Sequence, residues 1–267
     1  MTLVATAIAG IDPGVLASFV RTVNAASDGT FTVNLLPGTY RVSAVPGGDS
    51  DLSGSSGLAE ASTEWVIGAS PSTQAGKVIE LDSTLHIDGT AFDAGHTTPL
   101  SGAEARTVAS PASIVSDVLH VALGETVYVP RASTGPVEPD GSFALSSDVG
   151  TFDFSVQPQA STGFAWLVLP NLGVGTTPST SSGLTLGDLL APSPVTYSGK
   201  LIAPGSPTEN PVYMPNALIR TYLYMSGGAY TTDPTQADSV LQIAETRSDG
   251  NGGFVLLIPA ALNKAPQ

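Results

Sequence analysis

The sequence predicts an all-β protein built as a tandem array of three β-sandwich modules, of which the two terminal ones are incomplete. Its 267 residues include 29 glycines and 21 prolines, and apolar residues alternate with polar ones at a period of two. A turn motif, Asp-Gly-x-Phe, begins at Asp28 and again at Asp140, 112 residues on (140 − 28). A looser form begins at Asp249, a further 109 residues on (249 − 140). A repeat of this length fits one small domain per copy.

The repeat divides the chain into predicted modules at residues 1–82, 83–175 and 176–267. Gly89 in IDGTAFD corresponds to Gly199 in YSGKLIA, 110 residues on (199 − 89). The first module begins at its second strand, because TLVATAIAG aligns with AEARTVASP, and the third ends before its closing strand. Connecting segments at 68–77 and 173–194 are rich in Ser, Thr, Gly and Pro. Within the second segment, LTLGDLLAP is expected to dock as a short strand or helical turn.

Within the first module, the stretch DGTFTVNLLPGTYRVSAVP predicts a β-hairpin. Phe31, Val33 and Leu35 lie on one face of its first strand, and a second alternating run begins at Tyr40. Asp28 is expected to accept hydrogen bonds within its own turn, while the glycine after it tolerates positive φ. Five aromatic residues at repeated positions are predicted to be buried in equivalent layers: Phe31, Tyr40, Phe143, Phe152 and Phe254.

The repeated motifs resemble those of the carboxypeptidase regulatory-like domain, an immunoglobulin-like or transthyretin-like (prealbumin-like) β-sandwich. The residues that carry the resemblance are Gly89, Pro99 to Ala103, Asp140, Gly141, Phe143, Gly150, Thr151 and Phe152, with Asp28, Gly29, Phe31, Pro37, Gly38 and Tyr40 in the first module. The second module departs at one corner, where Asp148 and Val149 precede Gly150. The resemblance implies an accessory role as a spacer, adhesion unit or folding partner, without catalytic residues of its own.

The net charge and the cysteine content limit the classes of partner and of binding site that the chain can have. The chain carries 23 acidic and 9 basic residues, for a formal net charge of −14, which disfavours nucleic acid and anionic lipid surfaces. It has no cysteine, so disulfides and thiolate metal sites are excluded. The apolar N-terminus lacks a basic region and contains Asp12-Pro13, so it is interpreted as folded structure and not as a signal peptide. No apolar run is long enough to span a membrane.

One segment carries the pattern of a hydrolase nucleophile. Ser50 lies in GGDSDLSG, which resembles the nucleophile block of GDS-type esterases, and Asp117 and His120 supply an Asp-x-x-His pair. The nucleophile of such enzymes opens a helix after a strand, whereas Ser50 follows a predicted β-hairpin. We therefore interpret the segment as a solvated loop and predict no catalytic site.

No metal or cofactor site is predicted either. The histidines His86, His96 and His120 lack the spacing that places two zinc ligands on one helix face. Asp49 and Asp51 supply oxygens in a Gly-rich loop that suits calcium, but the EF-type pattern ending in a bidentate Glu is absent.

An intramolecular Lys–Asn cross-link is a further alternative, as in related bacterial surface sandwiches that join a first-strand Lys to a last-strand Asn beside a buried acid. Lys200 lies in the first strand of the third module, Glu245 in its middle and Asn263 near its end. The surrounding motif is missing, so the favoured interpretation is a solvent-facing lysine that protects an edge strand.

Aromatic residues suggest two surfaces. Trp65 and Trp166 are predicted to occupy equivalent repeat positions, with a shared packing role favoured over ligand stacking. Tyr222 and Tyr224 share one strand face and form the more plausible sticky surface, unless that face is the sandwich interior.

Together these features predict a non-catalytic structural or adhesive component of an exported bacterial surface assembly, located extracellularly or at the cell surface, with protein partners and no cofactor. The favoured interpretation of the incomplete end modules is that the sequence is a stretch of a longer multi-module surface protein, or an abbreviated gene model. The alternative is that the open sandwich edges accept strands from other copies, giving head-to-tail fibres. The alternative function is a glycan- or protein-binding accessory module of a larger secreted protein or peptidase, recognising its ligand through loops 47–62 and 110–136.

Overall fold

The computed structural model describes residues 1–9, 20–48, 57–59, 61–68, 75–110, 130–176, 182–205, 211–226, 229–237 and 239–263. Across these residues the protein is all-β, as predicted: strands are joined by turns, with short 3₁₀ segments at Pro46–Gly48, Ala160–Thr162 and Pro234–Gln236 and no α-helix. No helix in the described part of the chain is long and apolar enough to cross a membrane.

Sixteen strands are formed by the described residues. In chain order they are β1 (Thr2–Ala9), β2 (Val20–Asn24), β3 (Gly38–Val45), β4 (Ala61–Ile67), β5 (Leu85–Phe92), β6 (Glu104–Ala109), β7 (Ser133–Pro136), β8 (Ser142–Ser147), β9 (Gly150–Gln157), β10 (Leu167–Val174), β11 (Leu184–Leu190), β12 (Pro194–Lys200), β13 (Leu218–Ser226), β14 (Ala229–Tyr230), β15 (Ser239–Arg247) and β16 (Gly253–Pro259).

The middle of the chain forms a β-sandwich, called the central sandwich below. One sheet has the order β7-β6-β9-β10 and the other the order β11-β5-β8. Alternating side chains from both sheets form one hydrophobic core. Phe143 of β8 meets Phe154 of β9 across the sandwich, with ring centroids 5.3 Å apart. Large, fully buried members of this core include Ile87, Phe152, Phe154, Leu167 and Leu169.

The N-terminal unit, comprising β1 to β4 and residues 25–36 and 75–84, repeats half of this sandwich. Its sheet order, β2-β1-β3-β4, is the order of β7-β6-β9-β10, and β3 and β9 lie at the same 112-residue offset as the Asp-Gly motifs (150 − 38). The core of this unit is built on Leu3, Ala5, Tyr40, Val42, Ala44 and Trp65. The repeat predicted from sequence is therefore a repeat of sheet topology.

The C-terminal unit, comprising β12 to β16, also repeats part of the central sandwich. Strands β12 and β16 pair so that Gly199 lies opposite Phe254, as Gly89 of β5 lies opposite Phe143 of β8. The other sheet has the order β14-β13-β15. Its core includes Trp166 from the segment before β10. The C-terminal unit therefore packs directly on the central sandwich.

The predicted hairpin is wrong. Strands β8 and β9, which match its two halves, belong to different sheets, so the chain crosses the sandwich between them. In the N-terminal unit the second half forms β3, whereas residues 31–36 form no strand. The alternating pattern correctly identified extended segments, but alternation does not specify which neighbour each segment pairs with.

The five aromatic residues predicted to be buried divide into two groups. Tyr40, Phe143 and Phe152 are buried, which confirms the prediction for them. Phe31 and Phe254 are only partly buried, so the prediction is wrong there. Both lie in the terminal units, where the sandwich is less complete.

The second connecting segment is more ordered than a linker. LTLGDLL forms β11, which pairs in parallel with β5 of the central sandwich. This agrees with the expectation that it docks as a strand. The predicted module boundary after residue 175 differs from this pairing, since β11 shares a sheet and a core with residues 85–92.

Candidate interaction site

The residues considered for catalysis and calcium binding lie outside the described part of the chain. These are Asp49, Ser50, Asp51, Asp117 and His120. Most of loops 47–62 and 110–136 also lies outside it.

The other two histidines lie on the central sandwich without forming a metal centre. His86 is exposed on β5, and the His96 Nε2 atom lies 3.2 Å from the Asp188 Oδ2 atom on an exposed surface. His96 also packs edge-on against Phe92, with ring centroids 4.6 Å apart. No group of three or more potential metal ligands occurs among the described residues.

The structure does not bring the three cross-link candidates together. Lys200 lies opposite Gly253 at one end of the β12–β16 ladder and over the ring of Tyr213, 4.8 Å from its centroid. Asn263 follows the other end of β16, where its side-chain amide donates to the Leu190 carbonyl oxygen at 2.8 Å. Glu245 accepts a 2.7 Å hydrogen bond from the Arg220 Nε atom in a different sheet. A Lys200–Asn263 bond is incompatible with this strand register.

Both tryptophans are buried, as the packing interpretation predicts, but they are not equivalent. Trp65 lies opposite Tyr40 in the β3–β4 ladder and stacks on Phe31 with ring centroids 5.9 Å apart. In the β9–β10 ladder Leu172 lies opposite Phe152, so Leu172 is the counterpart of Trp65. Trp166 precedes β10 and packs into the C-terminal core. The 101-residue spacing of the tryptophans (166 − 65) was therefore misleading, because the repeat offset here is longer.

Tyr222 and Tyr224 of β13 lie on the surface. Both side chains are 45% exposed, so the face they share is not the sandwich interior. Tyr222 lines a groove of about 220 Å³ between the C-terminal sheet and the outer face of β6 and β9. This surface remains a candidate for ligand contact.

The most unusual surface is on the N-terminal unit, where residues 31–36 run extended and pair with none of the described strands. Their side chains alternate between partly buried and exposed, with Phe31, Val33 and Leu35 packed against the N-terminal core. Among the described residues no backbone–backbone hydrogen bond joins this segment to another strand. In the central sandwich the matching residues, 142–147, form β8 and pair with β5.

Residues 77–82 are a second extended segment on the same core, and its last residue, Asp82, accepts at its carbonyl oxygen from the Ala59 backbone N–H at 2.7 Å. They follow β4 as β11 follows β10, and Ile79 and Leu81 pack against the core that Phe31 covers. No strand pairing is formed by 77–81 within the described ranges. In the central sandwich the strand between β11 and β8 is β5. We call residues 31–36 and 77–82 together the acceptor face.

The turn that starts the acceptor face is fully formed. Thr30 donates its backbone N–H and its hydroxyl to the Asp28 Oδ1 atom, at 3.0 and 2.7 Å, and Ser142 does the same for Asp140 at 2.9 and 2.6 Å. These hydrogen bonds lower the pKa of each aspartate below its ordinary value, with the bond from the hydroxyl as the largest cause and the bond from the N–H as the second. Gly29 and Gly141 have φ of 83° and 90°, in the region where glycine is favoured. The two turns are chemically alike.

A buried ion pair distinguishes the central copy from the N-terminal one. Arg131 is bound through two nitrogens to the Asp148 carboxylate, at 2.8 and 2.6 Å, and donates to the Leu58 carbonyl oxygen at 2.8 Å. Both side chains of the pair are almost completely buried. In the sequence Asp148 stands out as a departure at the corner of the repeat, and this departure is the local signal of the ion pair. Its partner Arg131 lies 17 residues earlier, where no local pattern points to it.

Comparison with known proteins gives fold-level likeness alone. No protein-family model and no curated protein matches the chain. The shaft pilin SpaA from Lactobacillus rhamnosus GG is 15% identical, over 67% of this chain and 84% of that one, with a TM-score of 0.25. A streptococcal ancillary pilin is 14% identical, over 97% of this chain and 80% of that one, with a TM-score of 0.26.

A third similar structure is the Bacillus anthracis TIE protein, which is 12% identical, over 97% of this chain and 40% of that one, with a TM-score of 0.23. Likenesses of this size do not decide the function of the chain. The repeat and the acceptor face rest on the strand pairing of the chain itself, and the carboxypeptidase regulatory-like relationship stays a prediction.

Proposed function

We propose that the chain is a non-catalytic structural component of an exported surface assembly, and that it joins neighbouring copies head to tail through β-strand addition. The observation that carries the proposal is the acceptor face. Two extended segments lie on a hydrophobic core, and within the described residues neither 31–36 nor 77–81 makes a backbone–backbone hydrogen bond to a strand. The Leu36 carbonyl oxygen accepts from the Tyr40 hydroxyl, and the Asp82 carbonyl oxygen accepts from the Ala59 N–H. Such edges are the usual template for pairing with another chain.

Physical chemistry supports a partner at this face. Phe31 and Val33 are partly buried, whereas their counterparts Phe143 and Leu145 are each 3% exposed beneath the paired β5 strand. Adding a strand removes apolar surface from water, at about 25 cal/mol per Å², and satisfies backbone donors and acceptors. The acceptor face therefore gains stability from a strand supplied by another chain.

Self-association of the purified chain tests the proposal. We expect light scattering and sedimentation velocity to show the mean mass rising with protein concentration. The rise should be larger at about 0.5 M salt than at low salt, because salt screens the repulsion between copies of net charge −14. A single monomeric species at every concentration and salt level would contradict head-to-tail association.

The non-catalytic part of the proposal has its own test. Ser50→Ala and His120→Ala are expected to leave folding, association and the response to generic ester substrates unchanged. An esterase activity abolished by either substitution, but not by Ser146→Ala on β8, would show that the loop carries a catalytic site.

A glycan- or protein-binding accessory role is the second candidate, and the exposed tyrosines favour it. Tyr222 and Tyr224 project from one face of β13 next to the groove described above. Aromatic side chains with a polar tip are common at binding surfaces. Binding on a glycan array that is lost in Tyr222→Ala, but kept in Tyr197→Ala, would support this role over a purely structural one.

A further inference from the structure

We propose that strand β12 of a second copy of the chain inserts into the acceptor face, between residues 31–36 and 77–82. It would take the place that β5 takes in the central sandwich between β8 and β11. This inference rests on the proposed head-to-tail association and specifies its donor, its acceptor and their register.

The acceptor side follows from the internal repeat. Residues 28–36 match 140–148 without insertion, and the matching turns have the same hydrogen bonds. In the central sandwich β5 pairs antiparallel with β8 and parallel with β11. An inserted strand should therefore run antiparallel to residues 31–36 and parallel to residues 77–82. It would meet a ladder on both edges.

A glycine opposite phenylalanine identifies the kind of strand that fits. A Cβ atom on Gly89 would lie 3.0 Å from the Phe143 ring, and one on Gly199 would lie 3.0 Å from the Phe254 ring. Either distance is tighter than ordinary van der Waals contact, so glycine is the residue that fits opposite the phenylalanine without displacing its ring. Phe31 is the matching phenylalanine of the N-terminal unit. Its partner strand should present a glycine at that point.

Within the described residues, two strands carry this glycine, and only β12 is exposed. In β5 the core-facing positions next to Gly89 are filled by Ile87 and Ala91, both fully buried. The corresponding face of β12 is formed by Val195 and Tyr197, which are 43% and 57% exposed. Strand β12 therefore presents a core-type face whose own side chains are largely exposed, although their ladder partners Ile258 and Leu256 are partly or fully buried. The acceptor face has a core without a described strand at this place.

The number of strand partners also favours moving β12 from its own chain into the acceptor face of a second copy. In its own chain β12 pairs with one described strand, β16, over seven residue pairs. In the acceptor face it would pair on both edges and bury the side chains of Val195 and Tyr197. The exchange is a strand swap between identical chains, which builds open filaments when the contact does not close on itself.

Charge complementarity points to the same donor. The acceptor side carries Asp28, Glu80 and Asp82 against a single lysine, Lys77. Strand β12 has no acidic residue and ends in Lys200. With Gly199 opposite Phe31, antiparallel pairing places Lys200 opposite Thr30, two residues from Asp28. Strand β5 of a second copy, which carries Asp88 next to its glycine, would lack this charge complementarity.

Substitution at Tyr197 gives the first test in the full-length chain. Tyr197→Asp should reduce self-association at least tenfold in apparent affinity, because a carboxylate would be forced onto the N-terminal core. Since Tyr197 is exposed in the single chain, the circular dichroism spectrum and the thermal unfolding midpoint should stay unchanged. Tyr230→Asp is the matched control, because Tyr230 is 56% exposed on β14 and should leave association unaltered.

Disulfide trapping gives the second test, and it is clean because the chain has no cysteine. The proposed register places Tyr197 opposite Val33. Chains with Val33→Cys mixed with chains with Tyr197→Cys should form a covalent dimer on mild oxidation. Thr196→Cys is the matched control, because a shift of one residue places its side chain on the other face of the strand. It should form several-fold less dimer.

The outcomes separate this inference from the proposed function. A wild-type chain that stays monomeric would overturn both. A chain that associates normally with Tyr197→Asp, and whose Val33→Cys and Tyr197→Cys variants form no selective covalent dimer with each other, would overturn the β12 donor alone. Association lost in Tyr224→Asp but kept in Tyr197→Asp would assign the contact to the exposed face of β13 and contradict the inference. Loss in Tyr197→Asp together with selective trapping supports it.

Discussion

Residues 28–44 and 140–156 are two copies of one pattern with two different outcomes. Both begin with an Asp-Gly turn of the same geometry, and both end in a strand, β3 or β9, in the middle of a sheet of the same order. Between these points, residues 142–147 form β8, whereas residues 31–36 form no strand. The difference is the presence of β5 beside one copy and of no described strand beside the other.

The comparison teaches that alternation and turn chemistry set the local conformation, while strand pairing is a property of two segments. Phe31, Val33 and Leu35 still point to the core without a ladder. Burial of apolar side chains therefore holds the segment extended, and the hydrogen-bond ladder is a separate contribution that a neighbour supplies.

The core of the C-terminal unit is covered in a different way. The unit has counterparts of β5 and β8 in β12 and β16, and its core takes in Val168 from β10 of the central sandwich and Trp166 from the segment before that strand. Asn263 secures the contact by donating its backbone N–H to the Val168 carbonyl oxygen at 3.1 Å. The C-terminal core is thus partly covered by the central sandwich, whereas no described strand covers the matching place in the N-terminal unit.

Amide hydrogen exchange should show the largest difference between the two copies. Amides in 142–147 that donate to β5 should exchange only when the central sandwich opens, at a cost of about 5–15 kcal/mol. Amides in 31–36 of the dilute chain should exchange at least about 10³-fold faster, because no described strand pairs with them. Equal protection of both segments under dissociating conditions would contradict the comparison.

Truncation of the two phenylalanines should show the next largest difference. Phe143→Ala is expected to cost about 3–5 kcal/mol in the free energy of unfolding of the central sandwich. Phe31→Ala should cost clearly less, because its side chain is only partly buried and stacks on Trp65. Urea unfolding followed by Trp65 fluorescence in a Trp166→Phe background reports the N-terminal unit. Equal costs would mean that the N-terminal core is as complete as the central one.

Substitutions at the corner of each repeat should also differ in their effect on the free energy of unfolding. Asp148→Ala should destabilise the central sandwich by about 3–5 kcal/mol, because it leaves Arg131 buried without its carboxylate. The matching residue of the first copy is Leu36, which is 50% exposed. Leu36→Ala should therefore change stability by no more than about 0.5 kcal/mol. Urea unfolding of both variants measures the contrast, and a double variant, Arg131→Met with Asp148→Leu, should recover part of the loss.

Much of this organisation could be predicted from the sequence. The all-β class, the repeat, the turns at Asp28 and Asp140, and the docking of LTLGDLL all follow from local signals such as alternation and turn residues. The sheet to which each strand belongs did not follow. Strands β8 and β9 are joined by a corner that looks like a hairpin turn, and only their long-range partners separate them.

The candidate site was only partly predictable for the same reason. Open edges at the ends were expected, but the acceptor face became visible only when residues 31–36 and 77–82 were found on one core. The glycine match between Gly89 and Gly199 was noted from the sequence, while its reason, contact with a phenylalanine across the ladder, needed the strand register. Likewise Asp148 was noticed, but Arg131 lies 17 residues away and no local pattern joins them.

The two turns should show the smallest difference of all. A measurement that finds the pKa values of their aspartates alike is therefore informative. Hydrogen bonds from Thr30 and Ser142 lower the pKa of Asp28 and Asp140 respectively. An aspartate with a lowered folded-state pKa stabilises the fold above its unfolded pKa of about 3.9, and this contribution is lost as pH falls through the folded value. Both carboxylates are fully exposed, so the effect on stability is small.

Carboxyl chemical shifts followed between neutral pH and strong acid should give both residues a lowered pKa of similar size. An ordinary pKa at Asp28 beside a lowered one at Asp140 would show that the first turn forms only with a partner strand, and that the acceptor face is not preorganised.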